Sequence, residues 1–330
     1  MSRTPFQEFA GRMMHPDSEF IPKILESMIS EDQMKLLLAL PGSAGAMAEK
    51  TGRPAQEVQA ELDDMFRKGL AFKKKKEGVV SWRGPMHIAQ FHDASILWPG
   101  APPGFYDLWQ QYMDREWPNL APMIGGFLPR PITRVVPVGR SIETGKAQVL
   151  APESIRELID SAMRIAVTKC TCRLTMRKCD APVEVCLQIN KGADYTVERG
   201  SGREITKEEA HAVVKQVQEA GLVHVTMNNT RAGHFICNCC SCCCQAFSQL
   251  IAQDVKLCDP SRYRPETSAD LCKGCAACEE RCLFGAIKVG DNEISAVSAG
   301  KCLGCGQCSV GCPESALTMI EVRKPDFIPA

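Results

Sequence analysis

Residues Asp270–Val322 read DLCKGCAACEERCLFGAIKVGDNEISAVSAGKCLGCGQCSVGCPESALTMIEV, and the rest of the chain is best read outward from them. The pattern Cys-x-x-Cys-x-x-Cys-x-x-x-Cys occurs twice: Cys272, Cys275, Cys278 and Cys282, then Cys302, Cys305, Cys308 and Cys312, the last followed by Pro313. The second copy lies thirty residues after the first, cysteine for cysteine, with Ala286 matching Ala316 and Ile287 matching Leu317. Three thiolates spaced two residues apart wrap a tight loop around one iron–sulfur cube. A structural zinc site would use two Cys-x-x-Cys pairs with a longer gap between them. Two full sets of four do not follow that pattern.

The stretch resembles the bacterial two-cluster 4Fe–4S ferredoxin family. The likeness includes Gly274-Cys275 and Gly304-Cys305, glycines expected where a side chain would crowd the cluster, whereas Leu283 stands where the family usually carries proline. In such ferredoxins the fourth cysteine of each motif ligates the other cube. The resemblance therefore implies one 4Fe–4S cluster on Cys272, Cys275, Cys278 and Cys312, and a second on Cys302, Cys305, Cys308 and Cys282.

The whole chain sets outer bounds. Its 330 residues suffice for two or three domains, and a formal net charge of zero provides no global field for nucleic acid or an anionic membrane. The nineteen cysteines come in ligand-like clusters rather than dispersed pairs, unlike a disulfide scaffold. No signal-peptide core and no run of about 18–20 apolar residues is present, so no membrane span is expected. A reducing cytoplasm, that of an anaerobe, is the consistent compartment. Neither GxGxxG after a strand nor a Walker-type GKS/T occurs, so no nicotinamide or nucleotide site is expected.

From Pro22 to Trp82 the apolar spacing predicts amphipathic helices, a short helix Ala44 to Thr51, a third from Pro54 to Lys68 capped by Gly69, and then two β-like runs around a Lys-Glu-Gly turn. This order resembles the winged-helix family, which would make Arg53 to Gly69 the recognition helix and Phe72 to Trp82 the wing. Arg53, Arg67 and Lys73–Lys76 would face phosphates, but Glu57, Glu61, Asp63 and Asp64 lie on the same helix. DNA binding calls for a basic face, so protein docking or a structural role is the expected use. In residues 85–150 a helix is expected over Tyr106 to Trp117 and a strand in ITRVVPVG. The aromatics there are expected to pack the first domain on the second, and His87 and His92 to be satisfied or surface histidines.

A second cysteine system begins with Cys170, Cys172, Cys179 and Cys186. A helix expected over Glu153 to Ala166 and a strand at Ile165 to Thr168 lead to it. After a capping-box helix from Thr206 to Ala220 and a strand-like LVHVTMNN come Cys237, Cys239, Cys240, Cys242, Cys243 and Cys244. Thiolates so concentrated select zinc, copper(I) or iron–sulfur clusters. A further cluster is the expectation, with structural zinc or exchange-active thiols as alternatives, while Cys258 reads as a lone thiol. CxCR…C…P…C followed by FICNCCxCCC resembles a family of 4Fe–4S-binding proteins of anaerobes. That likeness covers roughly residues 130–322 and implies electron transfer.

The resulting expectation is an α+β multidomain protein: a winged-helix-like domain (1–84), a connector (85–150), a Cys-rich α/β domain (151–258) and a two-cluster ferredoxin domain (259–330). It would relay single electrons to or from a redox protein or oxidoreductase complex rather than act as a stand-alone enzyme. The alternatives are an iron–sulfur-dependent winged-helix regulator, and an oxidoreductase subunit whose upstream cluster meets substrate.

Overall fold

The structure, a computed structural model, describes residues 3–142, 149–231 and 233–330; residues 143–148 of the expected connector lie outside the described residues. The protein is a mixed α+β chain with two compact units. One comprises Met1–Leu120, Leu174–Met176 and Glu198–Gly202; the other comprises Ala121–Arg173, Arg177–Val197 and Arg203–Ala330.

In the first unit the helices are α1 (Pro5–Arg12), α2 (Phe20–Glu26), α3 (Glu31–Ala39), α4 (Ala44–Thr51) and α5 (Ala55–Lys68). Thr4 and Ser30 open α1 and α3 with capping boxes that satisfy otherwise unpaired amides. Helix α5 buries Val58, Leu62, Met65 and Phe66 on one stripe. Pro54, expected as its first residue, is instead the cap before it. Gly69 ends the helix at φ +82, and a Cβ there would lie 2.5 Å from the Ala94 carbonyl. Strands β1 (Phe72–Lys76) and β2 (Val79–Arg83) form an antiparallel hairpin. Its turn residues Glu77 and Gly78 both have positive φ, the backbone hand that matches hairpin twist.

Helices α6 (Ile88–Ile96) and α7 (Phe105–Arg115) follow. Aromatics of the expected connector belong to the core of this unit. Phe91, Trp109 and Tyr112 are fully buried inside this unit, with Phe91–Trp109 and Trp109–Tyr112 centroids 5.0 and 5.5 Å apart, edge to face. The apolar spacing of α7 continues the unit's own core, so the aromatics are satisfied there. Both histidines have structural partners: His87 Nδ1 accepts from the Gln90 amide to cap α6, and buried His92 reaches Thr175 Oγ1 at 2.8 Å.

The second unit is built on a seven-stranded sheet. After α8 (Trp117–Phe127) come β3 (Thr133–Val136), α9 (Gly139–Ile142), a 3-10 turn (Ala151–Glu153), α10 (Ile155–Asp160) and β4 (Ile165–Lys169). Next are α11 (Thr171–Met176), β5 (Glu184–Ile189), α12 (Lys191–Arg199), β6 (Arg203–Glu204), α13 (Lys207–Glu219), β7 (Val223–Met227), β8 (Phe235–Cys239), α14 (Gln245–Gln253) and β9 (Cys258–Asp259). The strand order is β6-β4-β5-β8-β7-β3-β9. All neighbours are antiparallel except β3 and β9. The helix expected over Glu153 to Ala166 stops at Asp160, because Ile165 and Val167 are drawn into the sheet core as strand residues.

The period of two along each strand sorts the side chains. Ile165, Val167, Leu187, Ile189 and Ile236 face a core closed by Ile155, Leu158 and Ile159 of α10 and Ala210 and Val214 of α13. Val223 and Val225 face the opposite side, where Phe247, Cys244, Cys258 and Leu303 are buried and Cys237, Cys239 and Phe284 pack against them.

The last segment holds β10 (Tyr263–Thr267), α15 (Ala277–Glu280), β11 (Ile287–Val289), β12 (Ser295–Val297), α16 (Gln307–Val310) and β13 (Leu317–Glu321). Strands β10 and β13 pair antiparallel, as do β11 and β12. The thirty-residue repeat is visible as matched short helices, with Cys278, Ile287, Cys308 and Leu317 forming one small core between the halves. Buried Arg262 ties this segment to the sheet through Glu153, at 2.8 and 2.9 Å. Among the described residues no helix is long and apolar enough to cross a membrane.

Candidate metal centres

The C-terminal cysteines line two recesses. One is walled by Cys302, Cys305, Cys308 and Cys282, with Pro265, Phe284 and Ile287. The other is walled by Cys272, Cys275, Cys278 and Cys312, with Val289, Ser295 and Leu317. Each recess thus collects three cysteines of one motif and the fourth of the other, because each short helix carries its fourth cysteine away from its own loop. Backbone amides point at these sulfurs. The Ala286 amide donates to Cys282 Sγ at 3.2 Å, and its repeat counterpart Ala316 to Cys312 Sγ at 3.3 Å. Amides of Gly274 and Ser295 hold the Cys272 thiol below its usual range. Burial pushes Cys302 up, and Cys305 up to about 12, so these thiols are poised to ionise only against a cation.

The glycines of the motifs also meet a constraint from the protein itself. Gly274 and Gly304 sit at φ +64 and +67, and a Cβ on Gly304 would lie 2.1 Å from the Tyr263 carbonyl oxygen. On Gly274 it would lie 2.8 Å from that of Glu293. Backbone of the neighbouring strand segments occupies the space that a side chain would need.

The ten upstream cysteines separate into two groups. In the first, the thiol of Cys170 neighbours those of Cys172 and Cys186, Cys186 neighbours Cys237, Cys172 neighbours Cys244, and Cys239 neighbours both Cys237 and Cys244. These contacts close a ring of six thiols. The sheet builds it: Leu187 pairs with Ile236, so the next step of the register sets Cys186 opposite Cys237, and Cys239 follows two residues on along the same face. Cys244 caps α14, where S–H groups of Cys172 and Cys239, then amides of Phe247 and Ala246, drive it strongly toward thiolate. Cys170 falls to about 3, mainly through its two thiol neighbours. Cys172, Cys186 and Cys239, the donors, are driven the other way. The ring ionises only in part without a positive centre.

In the second group the Sγ atoms of Cys179, Cys240, Cys242 and Cys243 all lie within 4.8 Å of one another, a close cluster that could hold a metal ion. Cys258 belongs to neither group: it is buried in β9, its burial raising its pKa.

Two residues outside the cysteine lists matter here. Arg173, 3% exposed, donates from Nη1 to the Asn238 carbonyl at 3.0 Å. Its Nε and Nη2 are buried beside Cys170, Cys186 and Cys240, whose thiols act on its charge. A buried guanidinium edge among thiols fits anionic metal–thiolate groups, whose negative charge it would offset. The arginine directly after Cys172 was the available signal. Phe247 was legible only as an apolar helix residue, yet its ring stands edge to face on Phe284 at 5.0 Å. It thereby joins the helix capped by ring thiol Cys244 to a wall of the Cys282 recess.

Compared with protein-family models, curated proteins and solved structures, the chain matches none.

Proposed function

We propose that the protein is an iron–sulfur electron carrier that exchanges single electrons with a partner oxidoreductase. Cys272, Cys275, Cys278 and Cys312 would hold one 4Fe–4S cluster, Cys302, Cys305, Cys308 and Cys282 a second, and the six-thiol ring a further iron–sulfur group. The observation that carries this reading is the crossed lining of the two recesses, the ligand exchange that two-cluster ferredoxins require. When bound, such clusters take up and release electrons at potentials set by charge, burial and hydrogen bonds to sulfur. The chain's own part is supplied by the amides of Ala286, Ala316 and Ser295 on cysteine sulfurs, by Arg173 beside the ring, and by the Phe247–Phe284 contact between ring and recess.

The winged-helix-like segment serves in this reading as a protein-docking or structural module. Two of its candidate phosphate contacts are engaged internally, while Arg67 and Lys74–Lys76 stay exposed: Arg53 forks onto Glu61 at 2.9 and 2.6 Å, and Lys73 pairs with Glu198 and lies over the Phe66 ring.

Full-length protein purified without oxygen tests the proposal. Iron and acid-labile sulfide should reach about eight of each or more, with Mössbauer spectra of cubes and reversible one-electron reduction. A single cube with all eight C-terminal cysteines intact, or clusters that do not change oxidation state, would overturn it.

A further inference from the structure

The two upstream thiol groups differ in a way that separates their chemistry. In the ring each thiol touches two neighbours around a perimeter. In the other group the sulfurs close on a point: Cys179 lies 3.8 Å from Cys240 and 3.9 Å from Cys243, and Cys242 lies 3.8 Å from Cys243. We propose that Cys179, Cys240, Cys242 and Cys243 bind a single zinc ion in a closed tetrahedral site, distinct from the ring and from both C-terminal recesses.

The distances decide nuclearity. Zinc–thiolate bonds of about 2.3 Å directed to tetrahedral corners set the sulfurs about 3.8 Å apart, the separation found here. The four thiolates of a cube each bind a different iron, so the whole cube stands between them, and sulfurs within 4.8 Å of one another leave it no room. Between single ions, zinc carries no geometric penalty in a tetrahedron and binds more tightly than ferrous iron in a given site. All four positions are filled by protein, which is the structural rather than the catalytic pattern.

Position gives the ion its role. Cys179 lies in the loop between ring members Cys172 and Cys186, and Cys240, Cys242 and Cys243 lie in the turn between ring members Cys239 and Cys244. A zinc ion there ties together the two loops that each supply three thiols to the ring, without itself carrying electrons. The inference is independent of the carrier reading, since zinc has no redox step.

Full-length protein made with both iron and zinc in the medium and purified without oxygen is the test. It should contain about one zinc per chain, with zinc-edge X-ray absorption showing four sulfurs at about 2.3 Å. The paired substitution Cys179→Ser/Cys243→Ser should lower zinc about tenfold or more, while Cys186→Ser in the ring keeps it. Should the pair fail to fold, Cys242→Ser at a partly exposed position and cobalt absorption spectra of the unaltered chain read the same site. Absence of zinc, iron without sulfide in its place, or zinc lost from Cys186→Ser but kept in Cys179→Ser/Cys243→Ser would each overturn the assignment. Iron and sulfide measured on the same samples report on the carrier reading separately.

Discussion

His224 shows what a single buried group imposes on this molecule. It lies in β7, 1% exposed, with Nδ1 2.6 Å from the side-chain oxygen of Asn238, and burial pushes its pKa down to about 4. An unfolded imidazole takes up its proton near 6.5, whereas the folded one waits until about 4. The stability that His224 contributes as a neutral group is therefore complete above pH 6.5 and is lost as pH falls from there toward 4, about 3 kcal/mol in all. Denaturant unfolding of the protein and of His224→Gln across this window should diverge at neutral pH and converge at the acid end. Parallel curves would assign the acid sensitivity elsewhere. Among the cysteines, Cys282 makes the sharpest single-residue prediction, because it lines the recess of the other motif. Cys282→Ala should remove about four irons, those of Cys302, Cys305 and Cys308, and spare the other set. Selective loss of the Cys272 set instead would mean that each motif ligates locally.

Between elements, the joint that matters most is the one between the 3-10 turn at Ala151–Glu153 and the segment entering β10. Arg262 and Glu153 are 0% and 1% exposed and bonded twice, so neither can turn to water if the other is removed. Glu153→Gln should cost about 1–3 kcal/mol in unfolding free energy, because it removes one buried charge partner while Arg262 keeps Glu321 at 2.6 Å; replacing both residues by apolar ones should cost less. A thermal scan of the two variants separates these outcomes. The element scale is also where sequence reading reached its limit. The eight C-terminal cysteines were legible because their spacing repeats and the loops that bear them are local. The ten upstream ones stood out by their density but did not sort into two groups. The sorting depends on β5 lying beside β8 with Cys186 opposite Cys237, a pairing between strands distant in sequence. Nor does the pattern FICNCCSCCC say that Cys237, Cys239 and Cys244 turn one way and Cys240, Cys242 and Cys243 another. Alternation within β8 and the turn before α14 decide that. The place of Phe91, Trp109 and Tyr112 in the core of the first unit was not legible either, because a buried stripe has the same spacing whatever it packs against.

For the whole molecule, net charge and composition were informative about what to exclude. With Arg53 and Lys73 engaged by acids, full-length protein should show no specific duplex binding approaching about 10⁻⁸ M at physiological salt, the range of specific DNA binders. A gel-shift selection that recovers a defined site would reverse this and favour a regulator. The legible part of the architecture was the order of elements from Pro22 to Trp82 and the duplicated C-terminal motif. The seven-stranded sheet between them was not, since its strands are short and its edge strands β6 and β9 span only two residues each.

The crossed recesses also set an order of events during synthesis. Cys272, Cys275 and Cys278 leave the ribosome before the second motif, yet the cysteine that completes their wall is Cys312, the last in the sequence. A nascent chain therefore presents three committed thiols and an open corner until translation has passed the second motif. The recess whose cysteines are made first is finished last, so messages cut short after Cys308 would yield a protein able to complete one recess and never the other.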